Sequence, residues 1–143
     1  MTTTTDSSWH KACLGAGMCA KSVDELSVYQ KAVDAADAIS AILKRESFRR
    51  DMRLRDQLSG SSESVPALIA EGCSQNTDRH FAALLYRSRG KSSETRTHLK
   101  AARTRDHISP EDLRRLSSMF NEIERMLTGL IQYVQREDRR HRG

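Results

Sequence analysis

Apolar residues recur three and four positions apart through most of this chain, and no stretch alternates with a period of two. That spacing predicts helices and no strands. The first helix is expected from about Asp24 to Arg45, with Ser22 as N-cap and Glu25 at capping-box distance. Leu26, Tyr29, Val33, Ala36, Ser40 and Leu43 form one stripe. Val28, Ala32, Ala35, Ile39 and Ile42 form a second beside it. Two adjacent stripes make a wider face than one helix contact needs, which points to burial on two sides, a bundle core and a subunit interface.

The second helix is expected from about Arg49 to Gly72, with Leu54, Leu58, Ser61, Val65, Leu68 and Ile69 facing inward. Pro66 has no N–H and its ring clashes with the Ser62 carbonyl, so a kink is expected there. The third helix spans about Thr77 to Asp106, capped by Asn76 or Thr77. Phe81, Leu85, Ser88, Ser92, Thr95, Leu99 and Ala102 give it a bundle seam whose middle is small and hydroxylated. The fourth runs from Pro110 to about Glu137. Ser109 caps it, Pro110 takes the first position, and Glu111 and Asp112 face the positive helix end. Its seam is Leu113, Leu116, Phe120, Ile123, Leu127, Leu130 and Val134, widened by Met119, Met126 and Ile131.

The expected fold is therefore all-α, an antiparallel up-down-up-down four-helix bundle over residues 23–137. Residues 1–22 are expected to form a flexible arm, because the Thr run and the glycines bury too little to offset ordering entropy. Trp9 is its one large apolar group. The charged tail 138–143 is expected to fray. Neither a membrane span nor a secretory leader is expected. Cys13, Cys19 and Cys73 are odd in number and lack CxxC spacing, so they read as reduced cytosolic thiols rather than disulfides or zinc ligands.

Charged residues are 30% of the 143 residues and the net charge is +5, a balance that favours acidic partners such as RNA or DNA. The excess is most one-sided on the third helix. At about 100° per residue, Arg89, Arg96, Lys100 and Arg103 share an arc of roughly 60° beside the seam. Arg87, Lys91 and Arg105 lie on the far flank. One reading is a nucleic-acid phosphate track without base selectivity. The other is a solvated flank, or pairing with acids such as Asp34 and Asp37 across an interface.

Candidate chemistry is thin. Gly90-Lys91-Ser92 resembles the end of a phosphate loop, but Leu85 stands where the motif needs glycine and no strand precedes it. Glu71 has no second carboxylate or histidine at metal-ligand spacing and reads as structural. His10, His80, His98, His107 and His141 are never paired at i, i+4 and read as surface residues. No catalytic residue, cofactor, metal or small-molecule substrate is expected.

Several collinear segments resemble one family. Ser22-Val23-Asp24-Glu25-Leu26-Ser27-Val28-Tyr29-Gln30-Lys31-Ala32 is similar to the opening of the four-helix-bundle proteins encoded within 23S rRNA intervening sequences. Ser64-Val65-Pro66-Ala67-Leu68-Ile69-Ala70-Glu71-Gly72 resembles their motif Ser-Ile-Pro-x-Asn-Ile-Ala-Glu-Gly. Ser88-Arg89-Gly90-Lys91-Ser92-Ser93-Glu94 resembles their third helix, and Glu122 to Ile131 their last. The chain departs from the pattern at Leu68, where asparagine is usual, and at Ser59 and Gly60, where two arginines are usual. The resemblance marks Pro66, Glu71, Gly72, Arg89 and Gly90 as motif residues. It implies a four-helix bundle in a homo-oligomeric ring, typically a pentamer, with no established enzymatic activity. At the level of fold and charge the chain also resembles accessory subunits of reverse transcriptases in diversity-generating retroelements.

Overall fold

The computed structural model describes residues 26–143 and is helical almost throughout. Four α-helices follow in order: α1 Ser27–Ile42, α2 Met52–Cys73, α3 Asp78–Thr104 and α4 Pro110–Arg142. Among the described residues there is no strand. The expected first cap at Ser22, Trp9, Cys13, Cys19 and His10 lie outside the described residues.

The start signals read from sequence act as caps. Thr77 Oγ1 accepts from the His80 N–H at 3.2 Å. Ser109 Oγ accepts from the Asp112 N–H at 3.1 Å, and Asp112 Oδ2 accepts from the Ser109 N–H at 3.2 Å, a reciprocal pair that satisfies two otherwise orphaned donors.

Three boundaries differ from expectation. The first helix ends at Ile42 rather than Arg45, and a 3-10 turn, Glu46–Arg50, separates it from α2. Phe48 in that turn is fully buried, so its side chain fills the end of the core and holds the chain out of a continuous helix. The second helix then starts at Met52 instead of Arg49, capped by Asp51, whose Oδ1 accepts from the Leu54 N–H at 3.4 Å. The last helix does not end at Glu137 but continues to Arg142. Ion pairs Arg140–Glu137 at 3.2 Å and Arg142–Asp138 at 3.2 Å brace its final turn, and Arg139 to Arg142 suit the negative end of a helix.

The third helix stops at a Schellman turn. Asp106 sits at φ 61°, the His107 N–H donates to the Ala102 carbonyl at 2.9 Å, and the Asp106 N–H donates to Arg103 at 3.1 Å. An aspartate here does what glycine usually does.

Each helix packs on its sequence neighbour, and α1 also packs on α4. One core joins them, with Ile39, Leu58, Ile69, Leu85, Leu99, Phe120 and Leu127 essentially sealed from water. Ser88, Ser92 and Thr95 are fully buried within it. Thr95 bonds back to the Lys91 carbonyl at 2.9 Å, as the small seam suggested. The same hydroxyls also reach across: Ser88 Oγ to the Val65 carbonyl at 2.8 Å, Thr95 Oγ1 to Ser61 Oγ at 2.8 Å, and Ser92 Oγ to the Phe120 carbonyl at 3.1 Å. Buried hydroxyls left without partners would destabilise the core, so these links fix the register of α3 against both neighbours.

Candidate functional surface

Of the arc of Arg89, Arg96, Lys100 and Arg103, the first two reach α4. Glu124, on the α3-facing side of α4, takes Arg96 in a two-pronged pair: Nε to Oε2 at 2.7 Å and Nη2 to Oε1 at 2.8 Å. Ser92 Oγ lies 3.0 Å from the same Oε2. The Glu124 carboxylate holds the Arg96 guanidinium firmly in its charged form. Arg89 Nη1 donates to Thr128 Oγ1 at 3.0 Å, and its guanidinium lies 4.9 Å from the centre of the Tyr86 ring. Arg103 pairs within its own helix end, with Asp106 at 3.2 Å. Lys100 is exposed and makes no ion pair among the described residues. Half of the arc is thus committed to joining two helices.

Glu124 is the residue that sequence reasoning missed. Its signal was present, since a carboxylate flanking the fourth seam suits an arginine flanking the third, but a single sequence does not say which flanks meet. Arg96 meets its acid within the chain, on α4, rather than on α1.

Of the far flank, Lys91 lies 3.4 Å from Glu94, and Arg105 reaches Asp51 at 2.9 Å. His107 lies 3.0 Å from the same Asp51 oxygen. It is not a surface histidine: its side chain is only 10% exposed and stacks on Phe48 with ring centres 4.7 Å apart. The Arg105 and His107 donors lower the Asp51 carboxyl below its ordinary range. At the same end Arg45 reaches Asp112 at 2.7 Å and depresses its carboxyl well below the usual range. Cys73 is buried and forms no disulfide among the described residues. Among the described residues no three His, Cys, Asp or Glu side chains converge as metal ligands, and no helix is long and apolar enough to cross a membrane.

The spacing of motifs along these helices can be set against known proteins. The description of the 23S rRNA-intervening sequence proteins matches residues 24–129. The chain belongs to this family. A solved structure from Bacteroides thetaiotaomicron, described as a protein of unknown function from the S23 ribosomal protein family, has the same fold. It superposes with a TM-score of 0.68 at 21% identity, covering 73% of this chain and 97% of that one. No curated protein matches.

Family membership gives the motif residues a physical reading. Gly72 is buried where α2 meets α3, and a Cβ there would lie 2.8 Å from Phe81 Cδ1 and 3.2 Å from Cε1. Any larger residue would have to push the buried Phe81 ring aside, so glycine is what lets that ring lie against the α2 backbone. Pro66 is half-buried inside α2, and the carbonyl before it, on Val65, is the one that accepts from Ser88. Glu71 is exposed; its backbone carbonyl accepts from Ser74 Oγ at 2.7 Å and Gln75 Nε2 at 3.1 Å, closing the helix end. Gly90 faces open space; we have no structural account of glycine there.

Proposed function

We propose that this protein is a non-catalytic assembly module: an up-down-up-down bundle whose copies join head to tail into a ring, a pentamer by family resemblance. The antiparallel order is supported by pairs that run in opposite senses, Val65 with Ser88 and Ser61 with Thr95, then Arg96 with Glu124 and Tyr86 with Gln135. A bend at Pro66 belongs to the same reading, supported by the N–H that proline lacks.

The observation that carries assembly is a groove of about 460 Å³ between α1 and α4, lined by Leu26, Val28, Met126, Leu130 and Tyr133. Its apolar floor is what a bundle leaves over when a fourth helix is wider than its core seam. Arg125 and Arg136 stand on its rim, both exposed. Asp34 and Asp37 are exposed on α1 and make no ion pair among the described residues. Opposite charges at different places on one chain suit a heterologous contact, the kind that builds a ring when its rotation closes.

The test is charge reversal. Asp34→Lys with Asp37→Lys should reduce the assembly to smaller species at micromolar concentration. Adding Arg125→Glu and Arg136→Glu should restore it. An unchanged mass in the first variant would refute the contact.

A second reading is backbone contact with RNA or DNA, favoured by Lys100, which is exposed and makes no ion pair among the described residues, beside Arg103. Lys100→Gln with Arg103→Gln should flatten the salt dependence of binding to structured RNA. No binding even at low salt would leave the scaffold or accessory-subunit reading alone.

A further inference from the structure

The start of α3 and the end of α4 enclose a second cleft, about 460 Å³ in volume, that neither the assembly contact nor the Lys100 reading uses. Arg79 enters it from α3, Arg139 and Arg142 from α4, and Tyr86 forms one wall. We propose that this cleft binds the phosphate of a nucleotide, with Arg79 and Arg139 holding the phosphate oxygens and Tyr86 bordering the attached sugar and base.

The argument begins with the charges. Two acids also line the cleft, Asp78 and Asp138, and both are occupied or set back. Asp138 takes Arg142 at 3.2 Å. Asp78 is only 7% exposed and lies 3.7 Å from His141 Nδ1. Arg79 and Arg139 are exposed and make no ion pair among the described residues. Two guanidiniums on different helices, opening into one concavity, present the planar donor forks that phosphate oxygens fit.

The wall argues for more than a bare ion. Among the described residues Tyr86 is one of two large apolar side chains left exposed, at 43%. It is held rather than loose: Gln135 Nε2 donates to its Oη at 3.3 Å, and Arg89 packs on its ring. A fixed aromatic beside paired guanidiniums suits a ligand that joins a phosphate to a ring. The volume falls within the range of small-ligand sites.

That ligand could be a free mononucleotide or one unit of a strand, and the same titration separates them. The full chain is titrated with uridine 5′-monophosphate and with single-stranded octauridylate, each against three proteins: the native chain, Arg79→Gln/Arg139→Gln, and Arg50→Gln/Arg53→Gln. The last removes the same charge from exposed arginines at the opposite end of the bundle. The cleft variant should weaken binding about tenfold or more, equivalent to ~1.4 kcal/mol, while the far-end variant changes it less than about threefold. Cleft-dependent binding of both probes identifies a free nucleotide as sufficient; cleft-dependent binding of the strand alone identifies a strand. Equal weakening by the two variants would reduce the site to general basic charge and overturn the proposal, as would failure of both probes to bind. Light scattering on the same variants keeps this result separate from assembly.

Discussion

Arg96 and Glu124 lock α3 to α4 through two parallel hydrogen bonds of 2.7 and 2.8 Å, with the side chains 26% and 18% exposed. Such charge-assisted pairs at a half-buried seam are worth more than surface ion pairs, because solvent screens them less and the fork geometry is fixed. Arg96→Gln should lower unfolding stability by about 1–2 kcal/mol, read as a lower urea midpoint. The loss should be similar for Glu124→Gln, and the double variant should lose less than the sum. An additive double variant would mean the two side chains act independently.

Gly72 and Gly90 should respond in opposite directions to alanine. A methyl at Gly72 meets the buried Phe81 ring at 2.8 Å, and overpacking of this kind costs about 1–3 kcal/mol. At Gly90 nothing lies within 4 Å, so alanine should stabilise the helix by up to ~1 kcal/mol. Thermal melts of the two variants check the sign.

Asp106 occupies the left-handed position that ends α3, at φ 61°. Glycine avoids the steric cost of that conformation, roughly 1 kcal/mol. Asp106→Gly should therefore raise the melting temperature, even though it removes the exposed pair with Arg103. A lower melting temperature would mean that the pair outweighs the backbone cost.

Acid should weaken the fold through the end that holds the 3-10 turn. Hydrogen bonds from Arg45 lower Asp112, and those from Arg105 and then His107 lower Asp51. A carboxyl whose folded pKa lies below its unfolded one stabilises the fold above the unfolded value, near 4, and loses that contribution as pH falls toward the folded value. The urea midpoint should thus be insensitive to these two groups at pH 5–7 and drop below about pH 4. Asp112→Asn should be less stable at pH 7 and show a shallower drop.

These particulars show how far the sequence was legible. Ser109, Pro110 and Asp112 announce the α4 start because capping is local chemistry, and Thr77 does the same for α3. The seams of α2 and α3 follow from period alone; on α4 the period places Leu130 inward, whereas the structure buries Ile131 and leaves Leu130 at the groove. Phe48 does not, since it sits off every stripe and becomes core only when a tight turn swings it inward. The arc on α3 was visible as an arc, but its meaning depended on which helix lies beside it. That is tertiary information: only the packing shows that Arg89 and Arg96 reach Thr128 and Glu124 of α4. The α4 extension past Glu137 was hidden for a related reason: its polar tail is braced by charge pairs rather than by an apolar stripe.

The central claim is that the chain assembles through surfaces its own core leaves uncovered. Light scattering of the purified 143-residue chain at micromolar concentration tests it most directly. The account predicts a single species at a multiple of the 16.2 kDa chain mass, five-fold if the ring follows the family. A stable 16.2 kDa monomer would contradict it.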